Sequence, residues 1–256
     1  MIKKFLICLF GLVLYGCATV YNPATEKNEL ILINDQTEAA LGRNVSRQMT
    51  SEQPLSRDPF LIERVEKIGR KIAAVSDRQA IPYEFSVLQE KELNAVSLPG
   101  GFIYINSGLA EKLNDDELAF VLGHEAGHVA AKHAVKKIQA NMAFSLILNV
   151  SLASAGSENS QMAGDAANAS GQIYNLISLG YSRKDEYLAD KLGAKYAYKV
   201  GYNPYAAISA LEKIRQNEGK GLKVLEYLRS HPYIDDRIKT LKQEIPVMTS
   251  HLPASR

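Results

Sequence analysis

The chain has no tryptophan and only two cysteines, Cys8 and Cys17, in 256 residues. So few thiols exclude a disulfide scaffold and a cysteine-rich metal cluster. An excess of one charge is also missing. Thirty basic residues stand against 28 acidic ones, a net charge of +2. Without Lys3 and Lys4 the balance is 28 against 28, so no basic field supports nucleic-acid binding. No apolar run reaches the roughly 20 residues that a membrane-spanning helix needs. No internal repeat is evident, which argues against a solenoid. What remains is an ordinary globular composition, 46% hydrophobic and 23% charged, long enough for one large domain or two small ones.

The N-terminus reads as a leader. Lys3 and Lys4 precede an apolar stretch over residues 5–15, the length of a secretory signal rather than a span. Leu14, Tyr15, Gly16 and Cys17 resemble the lipobox of bacterial lipoproteins, although Tyr15 is bulkier than the usual residue there. The expected organisation is a signal peptide over residues 1–16, a lipidated polar tether over 17–28 and one domain over 29–250. Cys8 would be lost with the leader, leaving Cys17 without a partner for an intramolecular disulfide. Several acyl chains on Cys17 would anchor the protein firmly to a membrane. Ala18, where an aspartate would signal retention, resembles the outer-membrane sorting signal of Gram-negative bacteria. The expected location is therefore the periplasmic face of the outer membrane.

The chemistry centres on residues 114–137, read as one amphipathic helix. Asn114 is a suitable N-cap, and Asp115, Asp116 and Glu117 complement the positive end of the helix dipole. Lys132, Lys136 and Lys137 load the opposite end, and Leu118, Val121 and Leu122 form an apolar stripe. His124 and His128 are four apart, so their imidazoles project from one face, and Glu125 lies beside them. This His-Glu-x-x-His spacing suits two nitrogen ligands on a tetrahedral zinc, with Glu125 next to an open position, as in zinc peptidases.

Two histidines leave such a site incomplete, because catalytic zinc ordinarily takes three protein ligands and a water. The segment from Ser182 to Val200 supplies a candidate. Ser182 caps a predicted helix with Asp185 three residues on, and Glu186 and Asp190 share a face. Glu186 is the expected third ligand, while Asp190 is placed to accept the second ring proton of a ligand histidine.

The rest of the chain reads as scaffold. Helices are predicted over residues 29–49 and from Asp58 and Pro59 onward, the latter with a core stripe of Leu61, Val65, Ile68, Ile72 and Val75. Residues 85–88, 95–98 and 102–105 predict a small antiparallel sheet, with Pro99, Gly100 and Gly101 as turn. Residues 143–155 and 173–179 are apolar around a small, polar middle, which predicts a mobile hairpin or lid over 143–180. Further helices are predicted from Asn203 and Pro204, over 222–229 and over 235–244. His133 and His251 carry no motif and are expected at the surface.

Several of these stretches together resemble the M48 zinc metallopeptidases. The match includes Asn94 and Ala95, the run from Leu98 through Pro99, Gly100, Gly101, Phe102 and Ile103 to Tyr104, and the His124–His128 motif. It continues through Ser182, Arg183, Glu186, Ala189 and Asp190 to His231, Pro232 and Arg237. It looks most like the periplasmic lipoprotein-type members of Gram-negative bacteria, without the helical-repeat domain that some relatives append. The resemblance implies an α+β, mainly helical zincin-like fold with the small sheet beside the metal helix. It implies one Zn2+ per chain on His124, His128 and Glu186, Glu125 as general base, and Asp190 in support or in proton transfer. His231 would approach the metal or the developing oxyanion, and Arg237 would support the cleft. It further implies a metalloendopeptidase that holds extended protein substrates along the sheet edge. Unfolded or misassembled envelope proteins would be its substrates and the outer-membrane assembly machinery a possible partner. Two other readings stay open: a low-turnover zinc-containing chaperone or assembly factor, and a membrane-surface protein built around the hairpin. His231 as a fourth ligand would make the enzyme latent.

Overall fold

The computed structural model describes residues 19–154, 166–216 and 225–251. The expected leader and Cys17 lie outside the described residues. The first described element is an antiparallel hairpin of β1 (Thr19–Asn22) and β2 (Lys27–Leu30). This hairpin occupies most of the expected tether and the start of the expected first helix. The Gln139 side-chain oxygen fastens the chain just beyond it, accepting from the backbone N–H groups of Leu32 and Ile33 at 2.7 and 2.9 Å.

Helix α1 (Asp35–Glu52) therefore starts later than its hydrophobic pattern implied. Asn34 caps it by accepting from the Thr37 N–H at 2.8 Å. Helix α2 (Pro59–Val75) follows the sequence closely. Asp58 caps it, Pro59 occupies the first turn, and Leu61, Val65, Ile68 and Ile72 are buried.

Three strands form the second sheet: β3 (Glu84–Leu88), β4 (Ala95–Ser97) and β5 (Phe102–Asn106). Their order is β3-β5-β4, with β5 parallel to β3 and antiparallel to β4. The sheet is thus mixed rather than wholly antiparallel. The central strand β5 has all five residues buried, as are all three of β4 at one edge, whereas β3 at the other edge is only partly covered. The turn before β5 (Pro99–Gly101) needs glycine, because Gly100 has φ +80°.

Helix α3 (Ser107–Lys112) leads into α4 (Asp115–Ala130), which carries the His-Glu-x-x-His motif. Every residue from Glu117 to Ala130 is buried, so α4 is a core helix, not an amphipathic one with a solvent face. It also ends earlier than the lysine pattern implied. Lys132 adopts φ +56°, a left-handed conformation that breaks the helix, and α5 (His133–Ser154) starts afresh. Ion pairs from Lys132 to Asp35 (2.7 Å) and Glu38 (3.0 Å) hold this strained residue in place.

Helices α5 and α6 (Ala166–Ser178) pack against each other where the hairpin was expected, and α6 also leans on α1. Residues 155–165, the middle of the expected lid, lie outside the described residues. Among the described residues no helix is long and apolar enough to cross a membrane. The C-terminal half comprises α7 (Arg183–Lys199), α8 (Ala206–Arg215), α9 (Leu225–Ser230) and α10 (Ile234–His251). One large apolar cluster joins α2, β3, β5, α4, α7, α8 and α10. A smaller one lies between α1, the other sheet face and Ile177 with Tyr181.

Candidate metal centre

The centre is built where α4 and α7 cross, the most extensive helix contact in the described fold. Both helices start with a capping box. Asn114 and Glu117 exchange bonds of 2.9 Å at α4, and Ser182 accepts from the Asp185 N–H at 3.3 Å at α7. The two helices approach so closely that a Cβ on Gly193 would lie 2.7 Å from the backbone nitrogen of His124. This approach brings Glu186 and Asp190 of α7 against the histidines of α4.

His124, His128, Glu186 and His231 each offer one ligand atom, all within 4.8 Å of one another and all buried. His124 Nε2 lies 3.0 Å from His128 Nε2 and 3.3 Å from His231 Nδ1. Glu186 Oε1 lies 3.4 Å from His128 Nε2 and 3.3 Å from His231 Nδ1. Metal–nitrogen bonds of about 2.0–2.1 Å in a tetrahedron separate the ligand atoms by roughly 3.3 Å. The cluster has that spacing. Burial pushes the His128 imidazole down to about 3, leaving it neutral with a free lone pair at neutral pH. Burial alone would raise the Glu186 carboxyl, but Arg237 at 2.9 Å, together with His231 and His128, outweighs it and holds the group well below the carboxylate range. Lone pairs converging beside an ionised carboxylate are what a divalent cation satisfies. The donor set therefore fits a metal.

Glu125 sits inside the same cluster. Both its carboxylate oxygens are buried without a hydrogen-bond partner, and one lies 3.4 Å from His231 Nε2, which also lacks one. Burial would lower the His231 pKa, but the facing carboxylates of Glu186 and Glu125 raise it above its ordinary value.

Asp190 and Arg237 form the floor. Asp190 Oδ1 lies 2.8 Å from His124 Nδ1, leaving the opposite ring nitrogen to face the cluster. Arg237, fully buried, donates to both Asp190 oxygens at 2.7 and 2.9 Å and to the His231 carbonyl at 3.3 Å. The structure thus brings every sequence-predicted site residue together except Cys17, which lies outside the described residues.

Sequence reasoning missed two neighbours. Tyr181 stacks on the His128 ring at 4.2 Å between centroids. His133 is buried rather than at the surface, with its Nδ1 2.7 Å from that of His128. The break at Lys132 turns His133 inward, and a lysine gives no sequence signal for a left-handed conformation. His251, by contrast, is exposed as expected.

Most of the described fold matches a known family. Residues 61–245 match peptidase family M48. The chain belongs to this family. It is 28% identical to the beta-barrel assembly-enhancing protease of Yersinia pestis over 224 residues, 85% of this chain and 46% of that protein. Identity to the protein of that name in Escherichia coli K12 is 25% over 207 residues, 78% of this chain and 42% of that one. Mitochondrial metalloendopeptidase OMA1 of Schizosaccharomyces pombe is 30% identical over 188 residues, 71% of this chain and 52% of that protein. The chain spans about half the length of these curated relatives.

Proposed function

We propose that this M48 member is a zinc metalloendopeptidase of the Gram-negative cell envelope that cleaves unfolded or misassembled outer-membrane proteins. The observation that carries the reading is Glu125: a buried carboxylate without hydrogen bonds, facing a donor set that suits a catalytic metal. His124, His128 and Glu186 would hold zinc, with His231 in the fourth position of a resting, latent state. When bound, zinc acidifies water and polarises a carbonyl. Glu125 takes the proton of the attacking water and delivers it to the leaving amine. Asp190 orients His124, and Arg237 keeps the Asp190 and Glu186 carboxylates ionised. Once displaced from the cluster, His231 donates to the developing oxyanion. The outer edge of β4, beside α4 and unpaired among the described residues, would offer backbone groups to an extended substrate, a mode that reads little sequence.

The envelope assignment draws support from the names of the Yersinia and Escherichia relatives. We extend it to a signal peptide over residues 1–16 and a lipid on Cys17 at the outer membrane. The peptidase domain would then occupy residues 29–250, with 143–180 as lid and the outer-membrane assembly machinery as partner. A low-turnover zinc chaperone is the rival reading, and Glu125 argues against it because a structural site needs no base.

The test is cleavage of casein by the zinc-loaded full chain beside Glu125→Gln, with bound zinc quantified. The variant should keep its zinc and lose about 10²–10⁴-fold in rate. If the zinc-loaded parent and a His231→Ala variant both fail to cleave, the peptidase reading gives way to the chaperone. A parent that holds no metal overturns the ligand assignment.

A further inference from the structure

His124 is oriented by a carboxylate, Asp190, but among the described residues it is His133, not a carboxylate, that meets the inner nitrogen of His128. We propose that His133 takes that place, as the middle member of a positioning relay that runs from Asp185 through His133 to His128. The inference rests on His128 being a metal ligand.

The proton positions follow from the geometry. His128 Nε2 faces the cluster and must present a lone pair there, so its proton sits on Nδ1. That Nδ1–H points at His133 Nδ1, 2.7 Å away, which must then accept. A neutral imidazole accepting at Nδ1 carries its own proton on Nε2. His133 Nε2 lies 3.4 Å from Asp185 Oδ1, a contact longer than a formed hydrogen bond, and this is the carboxylate that its proton would meet. Each link thus fixes the tautomer of the next, and the chain ends on a carboxylate that is partly open to solvent.

The backbone is shaped for this contact. On a continuous helix, residues five apart point roughly 140° away from each other. The left-handed Lys132 resets the direction, so that the first residue of α5 returns to the last turn of α4. Asp185 is also the capping-box partner of Ser182 at the start of α7, the helix that delivers Glu186 one position later. The relay therefore ties the orientation of one ligand to the helix start that sets another. Tyr181, stacked on His128, leaves the ring little freedom to turn away from this axis.

The primary test is nitrogen-15 NMR of the histidine side chains in the zinc-loaded full chain. His133 should appear as the Nε2–H tautomer, with its Nδ1 unprotonated and accepting from His128. The Nδ1–H tautomer of His133 would overturn the relay. The second test compares zinc affinity, by chelator competition, of the parent, His133→Phe and His133→Asn. Phenylalanine fills the space without an acceptor and should weaken zinc binding about 10–100-fold. Asparagine, whose side-chain oxygen can accept near the Nδ1 position, should recover most of that loss. Equal weakening by both variants, or by neither, would refute the relay while leaving the metal site itself standing. If His133→Phe fails to fold, the tautomer measurement still decides.

Discussion

Replacing Arg237 by methionine keeps the apolar stem but removes a charge that three groups share. The guanidinium donates twice to Asp190, lies 2.9 Å from Glu186 and bonds the His231 carbonyl, all without solvent access. Two buried carboxylates would lose their counter-charge at once. Breaking a buried pair by removing one partner costs about 3–5 kcal/mol. For a domain of this size that is a fall in Tm of roughly 6–20 °C. The measurement belongs on metal-free protein at neutral pH, by denaturant titration and calorimetry, because a bound cation would replace much of the missing charge. Burial pushes the Asp190 and Glu186 carboxyls up, yet Arg237, with the neighbouring histidines, outweighs it and holds both below their ordinary values of 3.8 and 4.5. Groups with depressed folded pKa values stabilise fully above those ordinary values, and the contribution drains away as pH falls further. The gap between parent and variant should therefore be widest above about pH 5 and close in acid. Adding Asp190→Asn and Glu186→Gln to the methionine variant should return most of the loss. A single-variant loss under about 1 kcal/mol, or a gap that does not narrow in acid, would refute the idea that Arg237 offsets buried carboxylate charge.

Two further substitutions probe other links. Gly193→Ala would push a Cβ against the α4 backbone. The overpacking penalty of about 1–3 kcal/mol should exceed the gain of up to about 1 kcal/mol in helix propensity. Zinc affinity should fall along with stability, whereas Gly171→Ala, which meets only the end of the Gln48 side chain, should not destabilise; equal melting temperatures for both would contradict the tight-crossing account. Cys17→Ala should abolish incorporation of radiolabelled palmitate into the full chain, and label persisting in that variant would rule out Cys17 as the lipid site.

What the sequence made legible was local. Ligand spacing at His124 and His128 is a property of one helix turn, and the caps at Asn114, Asp58 and Ser182 are properties of four residues. Glu186 and Asp190 were legible because each completed a chemistry that the first motif left unfinished. What stayed hidden depended on tertiary context. Lys132 holds φ +56° because Asp35 and Glu38, almost a hundred residues away, capture its ammonium, and no neighbouring residue announces this. The parallel pairing of β3 with β5 ran against the antiparallel expectation for a similar reason, although the unbroken apolar run at β5 was a usable sign of a strand covered on both faces. Residues 29–34 followed an apolar pattern that a hairpin and a short connection could satisfy as well as a helix. Asn34 followed by Asp35 was the overlooked start signal.

The near-total burial of the donor cluster has a kinetic consequence. Glu125 and the four donor residues are at most 1% exposed, so neither a chelator nor a peptide reaches them in this conformation. Metal loss and substrate capture must then each wait for the surrounding structure to open. If that opening is slow to occur and quick to reverse, chelators at ordinary concentrations will compete with reclosure. At high chelator concentration the rate of metal release will level off at the opening rate itself, a clock that the protein sets and the reagent cannot hurry.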